Sequence, residues 1–240
     1  MDLEELADLC IRNYKMISLV GAGGKSTLMY ALAEKISRRG RKVLVSTTTH
    51  IYEPKENFAR EEPEIRSLWR AGRYAVVGER TEGGKLRSLP VPRLREYGKL
   101  ADLILLEADG SRRKPMKVPA EKEPVILPEC DLVLGVIGLS CLGKPLREVC
   151  FRPELACTLF GAEQEEIVRE KLAASVLMSE KGTKKEVGTR DYVIVLNQCD
   201  TEEERRRAGK IENAVRKAGA DQVICTSFDA ETGGECWRSI

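Results

Sequence analysis

The sequence predicts an α/β protein with one doubly wound, mostly parallel sheet covered by helices on both faces, a three-layer α/β/α arrangement. Three observations carry that expectation. The stretch 15–27, KMISLVGAGGKST, passes from a short apolar strand through a glycine cluster into a helix. Further apolar runs of strand length recur at 42–46, 103–106, 131–137, 192–196 and 222–226, with helix-spaced segments among them. No linker, repeat or low-complexity segment divides the 240 residues, so they read as one domain, 1–240, with an inserted region around 50–100.

Taken in order, Leu3, Leu6, Ala7 and Cys10 define a one-faced helix ahead of the first strand. Met16 to Val20 then lead into Gly21, Ala22, Gly23, Gly24, Lys25, Ser26 and Thr27, after which Leu28, Met29, Leu32 and Ile36 recur at helical spacing. A strand, a glycine loop ending in Gly-Lys-Ser and a helix form the context of a phosphate-binding loop. Backbone amides must approach phosphate oxygens closely, which excludes side chains and requires unusual φ values. The helix N-terminus adds donors and a partial positive charge. Lys25 is placed to neutralise the terminal phosphates, and Ser26 to hold Mg²⁺. The full pattern G-x-x-x-x-G-K-[ST] has glycine where this chain has Leu19, so the loop is the shorter G-x-x-G-K-[ST].

That helix should stop at Arg38-Arg39-Gly40, and 42–46 follows as a second strand in a right-handed βαβ unit. It ends in Thr47-Thr48-Thr49-His50. Ligands of open parallel sheets sit outside the carboxyl ends of the strands. Thr48 and Thr49 are therefore candidates to hold Mg²⁺ or its water, or to position an attacking water, and His50 to hydrogen-bond. Residues 51–73 read as loop plus a short helix ending near Trp69, 74–78 as a strand, Gly83-Gly84 as a hairpin turn and 94–101 as a helix.

The run 103–106 is a buried strand that ends in Glu107-Ala108-Asp109-Gly110. A strand-tip carboxylate beside a phosphate loop can hold a metal or orient a nucleophile, and Glu107 and Asp109 are both candidates. The basic stretch 111–119 follows, and Arg112, Arg113 and Lys114 could bind a second anionic substrate or the phosphates. Residues 143–154 read as irregular, 163–177 as a helix with Ile167, Val168, Leu172 and Val176 on one face, and 182–190 as a charged loop. The strand 192–196 ends in Asn197-Gln198-Cys199-Asp200, which resembles the N-K-x-D guanine-reading motif of GTPases. Asn197 and Asp200 are thus candidates to contact a base, with Ser227 after the last strand. Gln198 stands where that motif has lysine, so ATP and GTP both stay open.

Composition sets the outer limits. Hydrophobic residues are 42% and charged residues 32%, as in a globular chain. A net charge of +2 gives no argument for nucleic acid, and 5% aromatic residues argue against a base-stacking platform. No apolar run is long enough to cross a membrane, and the acidic N-terminus is neither a signal nor a transit peptide, so a cytoplasmic location is expected. The eight cysteines include no C-x-x-C pair and are expected as reduced thiols, not a disulfide framework or zinc site.

With these residues assembled, the sequence resembles the YqeC family, accessory proteins of selenium-dependent molybdenum hydroxylases. The resemblance rests on SLVGAGGKST, STTTHIY, LLEADGSRRKPMKVPAEKEPVI, FRPEL and VLNQCD in this order. It implies a P-loop NTPase-like fold, nucleotide binding with Mg²⁺ and ATP or GTP as cofactors, and a role in maturing such a hydroxylase, with the enzyme, its cofactor or a selenium donor as partner. The short loop also looks like that of Mur ligases and folylpolyglutamate synthases. Two rival readings follow. One is an ATP-dependent small-molecule kinase or ligase that uses Arg112, Arg113 and Lys114. The other is a non-hydrolysing scaffold or chaperone switched by nucleotide. A selenium carrier built on Cys141, Cys150 or Cys157 is a further addition.

Overall fold

The computed structural model describes residues 3–228. Helix α1 (Leu3–Asn13) precedes β1 (Met16–Gly21), which runs through the glycine loop into α2 (Lys25–Ser37) and on to β2 (Val43–Thr47). A peripheral region follows, with β3 (His50–Tyr52), α3 (Glu62–Arg70), β4 (Ala75–Val76), β5 (Glu79–Thr81), β6 (Lys85–Arg87) and α4 (Val91–Leu100). The chain returns through β7 (Leu103–Glu107), β8 (Met116–Lys117) and β9 (Leu132–Gly138) to a single 3₁₀ turn (Leu139–Cys141), α5 (Leu146–Val149) and β10 (Cys150–Phe151). It ends with α6 (Pro153–Phe160), α7 (Glu170–Met178), β11 (Asp191–Asn197), α8 (Glu202–Lys217) and β12 (Gln222–Cys225).

Seven strands form the central sheet in the order β12-β11-β9-β1-β7-β2-β4. Every pair in it is parallel, as the apolar runs and intervening helices predict. Alternation along each strand divides the core into layers. Ile17 and Leu19 of β1, with Val193 and Val195 of β11, pack with Leu6 and Cys10 of α1 and Leu28, Leu32 and Ile36 of α2. On the other face Met16 and Val20 meet Ile65 of α3 and Leu94 of α4, and Ile194 and Leu196 meet α7 and α8. This is the three-layer α/β fold expected.

The order places β1 between β7 and β9, with Leu19 opposite Glu107 and Gly21 opposite Val136. Thr47 of β2 is also opposite Glu107. The carboxyl ends of β2, β7, β1, β9 and β11 therefore share one edge, with the glycine loop at its centre. Two small sheets lie outside it, an antiparallel β3-β6-β5 and a parallel β10-β8.

Four expectations change. The helix placed at 163–177 begins only at Glu170, because 164–168 hydrogen-bond to 143–147 around an isolated antiparallel bridge between Pro145 and Ile167: Gly143 donates to Val168 O, Leu146 to Glu166 O and Arg147 to Gln164 O, all within 3.0 Å. Ile167 lies in that pairing and is 40% exposed. Residues 143–154, read as irregular, contain α5 and β10. His50–Tyr52, read as the end of the threonine run and the start of the 51–73 loop, is a strand held by β6, while the strand at 74–78 is reduced to Ala75–Val76.

Candidate functional site

The loop backbone turns through left-handed conformations at Gly21, Gly23 and Gly24, with φ of 91°, 81° and 100°. A Cβ on Gly23 would stand 2.1 Å from Gly138 N, so glycine is required there by both φ and space. Three loop amides are engaged by protein: Gly21 N–H donates to Asp109 Oδ2 at 3.1 Å, Ala22 N–H to Val136 O at 2.9 Å and Gly23 N–H to Lys114 O at 3.1 Å. Gly24 caps α2 without a side-chain acceptor. The amides of Lys25, Ser26 and Thr27 have no intrahelical acceptor, so they are the donors the loop offers at the positive end of the helix.

Charged side chains converge beside the loop. Lys25 is 3% exposed; its Nζ donates to Gly21 O at 2.6 Å and lies 3.0 Å from Asp109 Oδ1 and 3.9 Å from Glu107 Oε1. Ser26 Oγ donates to Glu107 Oε2 at 2.6 Å. Burial raises the Glu107 pKa, against the pull of Lys25 and Ser26. Burial alone would lower that of Lys25, but Asp109 and Glu107 outweigh it and raise it. Lys117, absent from the sequence-derived candidates, reaches Asp109 Oδ2 at 3.0 Å and donates to Glu123 Oε2 at 2.7 Å. Arg152, held at φ 68°, grips both oxygens of Glu123 at 2.7 and 3.2 Å. The result is an alternating chain, Glu107–Lys25–Asp109–Lys117–Glu123–Arg152. The sequence signal for Lys117 is a charge set between Met116 and Val118, both fully buried, within the basic stretch 111–119. Gly21, Asp109 and Lys117 line a narrow cleft with Thr183, Pro119 and Pro124.

Among the described residues no three His, Cys, Asp or Glu side chains are grouped as a metal site. Mg²⁺ that is shared with phosphates needs only one or two carboxylates and a hydroxyl. Glu107 and Ser26, already in contact, supply that set. The donor set fits.

The remaining candidates separate. Thr48 Oγ1 donates to Val125 O at 2.8 Å and Thr49 N–H to Thr47 Oγ1 at 2.9 Å, while Thr47 Oγ1, which the sequence did not single out, donates to Glu107 O at 2.8 Å. The threonines tie the tips of β2 and β7 together. Asn197 Nδ2 donates to Gly23 O at 2.7 Å and its Oδ1 accepts from Thr226 Oγ1 at 2.8 Å, which binds the glycine loop to the end of β12. Ser227 Oγ donates to Asp200 Oδ1 at 2.7 Å, so those two meet at the same edge. Gln198, at φ 63°, accepts from Ser140 Oγ at 2.6 Å. Arg112 and Arg113 are exposed and lie over Phe151 and Tyr52 at 5.2 and 5.0 Å, while Lys114 Nζ donates to Glu148 O. His50 is exposed on β3. Cys141 and Cys150 are buried, and burial pushes both thiols up to about 12. Cys236 lies outside the described residues.

A wholly parallel sheet, a central strand that enters a glycine loop and helix, and a lysine and serine facing two strand-tip carboxylates define a three-layer α/β protein with a strand–loop–helix site. The family model described as YqeC protein matches residues 17–154, and the chain belongs to the YqeC family. It is 35% identical over 136 residues to a protein of Escherichia coli (strain K12) described as uncharacterized protein YqeC. That match covers 53% of each chain, so it spans about half the length of the relative. The loop, Glu107, Asp109, Lys117, Glu123 and Arg152 lie inside the family match, and Asn197, Asp200 and Ser227 lie beyond it.

Proposed function

We propose that this protein binds the phosphates of a Mg²⁺-nucleotide, ATP or GTP, on the loop Gly21–Thr27, within one domain that carries the region 50–100 as an insertion. The observation that carries the reading is the meeting of Lys25 and Ser26 with Glu107 at the tips of β1 and β7. In this reading the amides of Lys25, Ser26 and Thr27 bind phosphate oxygens and the Lys25 ammonium neutralises them. Ser26 and Glu107 hold the metal, which supplies countercharge to the phosphates when bound. Asp109 keeps the loop in shape through the Gly21 amide. Asn197 fixes the loop to β12, and Asp200 with Ser227 faces the base. The threonines 47–49 keep the carboxylate strand in register, a supporting task and not a chemical one.

Hydrolysis of the nucleotide, coupled to maturation of a selenium-dependent molybdenum hydroxylase, is the fuller form of the proposal and draws on the family resemblance. The kinase or ligase reading needs free cations for a second anion; Arg112 and Arg113 are exposed enough to serve, whereas Lys114 is tied to a backbone carbonyl. The cysteine carrier is weakened by the buried, protonated state of Cys141 and Cys150.

Calorimetric titration of Lys25→Ala tests the assignment. The variant is expected to stay folded and to lose at least about tenfold in affinity for Mg²⁺-nucleotide, as for the loss of a charge-assisted contact. Wild-type affinity in that variant would remove Lys25 from the site.

A further inference from the structure

Asp109 has two ammonium partners where one would neutralise it. Lys25 Nζ lies 3.0 Å from its Oδ1 and Lys117 Nζ 3.0 Å from its Oδ2. All three side chains are sealed from solvent, Lys117 completely. The two lysines are held differently. Lys117 sits on β8, which pairs with β10 in a register that sets Phe151 opposite Lys117. It donates to Gly110 O at 2.6 Å and to Glu123 at 2.7 Å, and Arg152 pins Glu123 from behind. Lys25 stands at the first position of α2 and, beside its ion pairs with Asp109 and Glu107, donates to one backbone oxygen, Gly21 O of its own loop.

We infer that Lys117 is a positioning residue, the standing counter-ion of Asp109, whose presence releases Lys25 to follow a bound phosphate group. The inference rests on the phosphate-loop reading and names what that loop requires of its surroundings. With a single lysine, any phosphate that drew Lys25 away would leave Asp109 as a buried, unpaired carboxylate, which is strongly unfavourable. Lys117 keeps that carboxylate neutralised, and the Gly21 amide remains bound to Oδ2 while Lys25 moves. Three acceptors hold Lys117 back, so it does not follow Lys25.

Two measurements test this. In the first, without ligand, chemical denaturation compares the full chain with Lys25→Met, Lys117→Met, the double variant, and each of these combined with Asp109→Asn. Either lysine alone should suffice to keep Asp109 paired. The double variant should therefore lose more stability than the two single losses combined, and Asp109→Asn should restore most of the excess. If the double variant does not fold, recovery of folding in the triple variant gives the same reading. Simple additivity with no rescue by Asp109→Asn overturns the proposal.

In the second, calorimetry with Mg²⁺-ATP and Mg²⁺-GTP compares Lys117→Met with Asp109→Asn/Lys117→Met. Lys117→Met should weaken binding on the order of 100-fold, the scale of an unpaired buried charge. The double variant should bind nearly as well as Asp109→Asn alone. Wild-type affinity in Lys117→Met, or a loss that Asp109→Asn does not relieve, overturns the proposal. A wild-type protein that binds neither nucleotide overturns the phosphate reading and with it the release of Lys25, while the ligand-free comparison still decides the pairing by itself.

Discussion

A methyl group at Gly23 would collide with the backbone of Gly138 and of Pro115, whose carbonyl oxygen would be 2.9 Å away. The position also holds φ at 81°. Gly23→Ala is therefore expected to destabilise the protein by about 1–3 kcal/mol or more, read from denaturant midpoints. Stability within about half a kcal/mol of wild type would show that the loop is looser than its packing indicates. Asn197 acts at the same point from the other side. The residue is 2% exposed and its amide bridges Gly23 O to Thr226 Oγ1, so Asn197→Ala removes two buried hydrogen bonds. The expected loss is about 1–3 kcal/mol, since a carbonyl and a hydroxyl lose their partner. The same variant should weaken nucleotide binding through a displaced loop, which calorimetry at a temperature where it is folded would register.

At the level of elements, the long parallel strands were legible because each is a continuous apolar run bounded by polar residues, as at Leu103–Glu107 and Leu132–Gly138. Strands β8 and β10 were not, because each is a two-residue element defined only by its distant partner. That pairing buries Lys117, so the half of the charge chain beyond Asp109 was invisible to local pattern. The early start assigned to α7 failed for a similar reason. Ile167 and Val168 fit a helical face, but hydrogen bonds to 143–147 override the local preference. Helix α8 shows the opposite case, in which the local signal is sufficient. Thr201 Oγ1 accepts from Glu204 N–H at 3.2 Å and the Glu204 carboxylate accepts from Thr201 N–H at 2.9 Å, a complete capping box. Thr201→Ala should cost about 1 kcal/mol in denaturation and leave nucleotide affinity unchanged. A fall in affinity would mean that the start of α8 takes part in the site.

Across the whole molecule, the charge chain links the central sheet to the β8–β10 pair and to α6. Its outer carboxylate gives that link a pH signature. Burial alone would raise the Glu123 pKa, but hydrogen bonds from Arg152 and Lys117 bring it down to about 2 from the ordinary 4.5. A carboxyl held below its unfolded value contributes stability that is fully present above about 4.5 and is lost as pH falls toward about 2. Glu123→Gln should therefore flatten the decline of stability in that window, measured as urea midpoints against pH; an unchanged decline would place the acid sensitivity elsewhere. Titration of the wild-type chain with ATP and with GTP, each with and without Mg²⁺, bears straight on the loop that organises the sheet edge. Saturable binding of at least one nucleotide, strengthened by Mg²⁺, is expected. Absence of binding by both, under conditions where the protein is folded, would contradict the phosphate-loop reading.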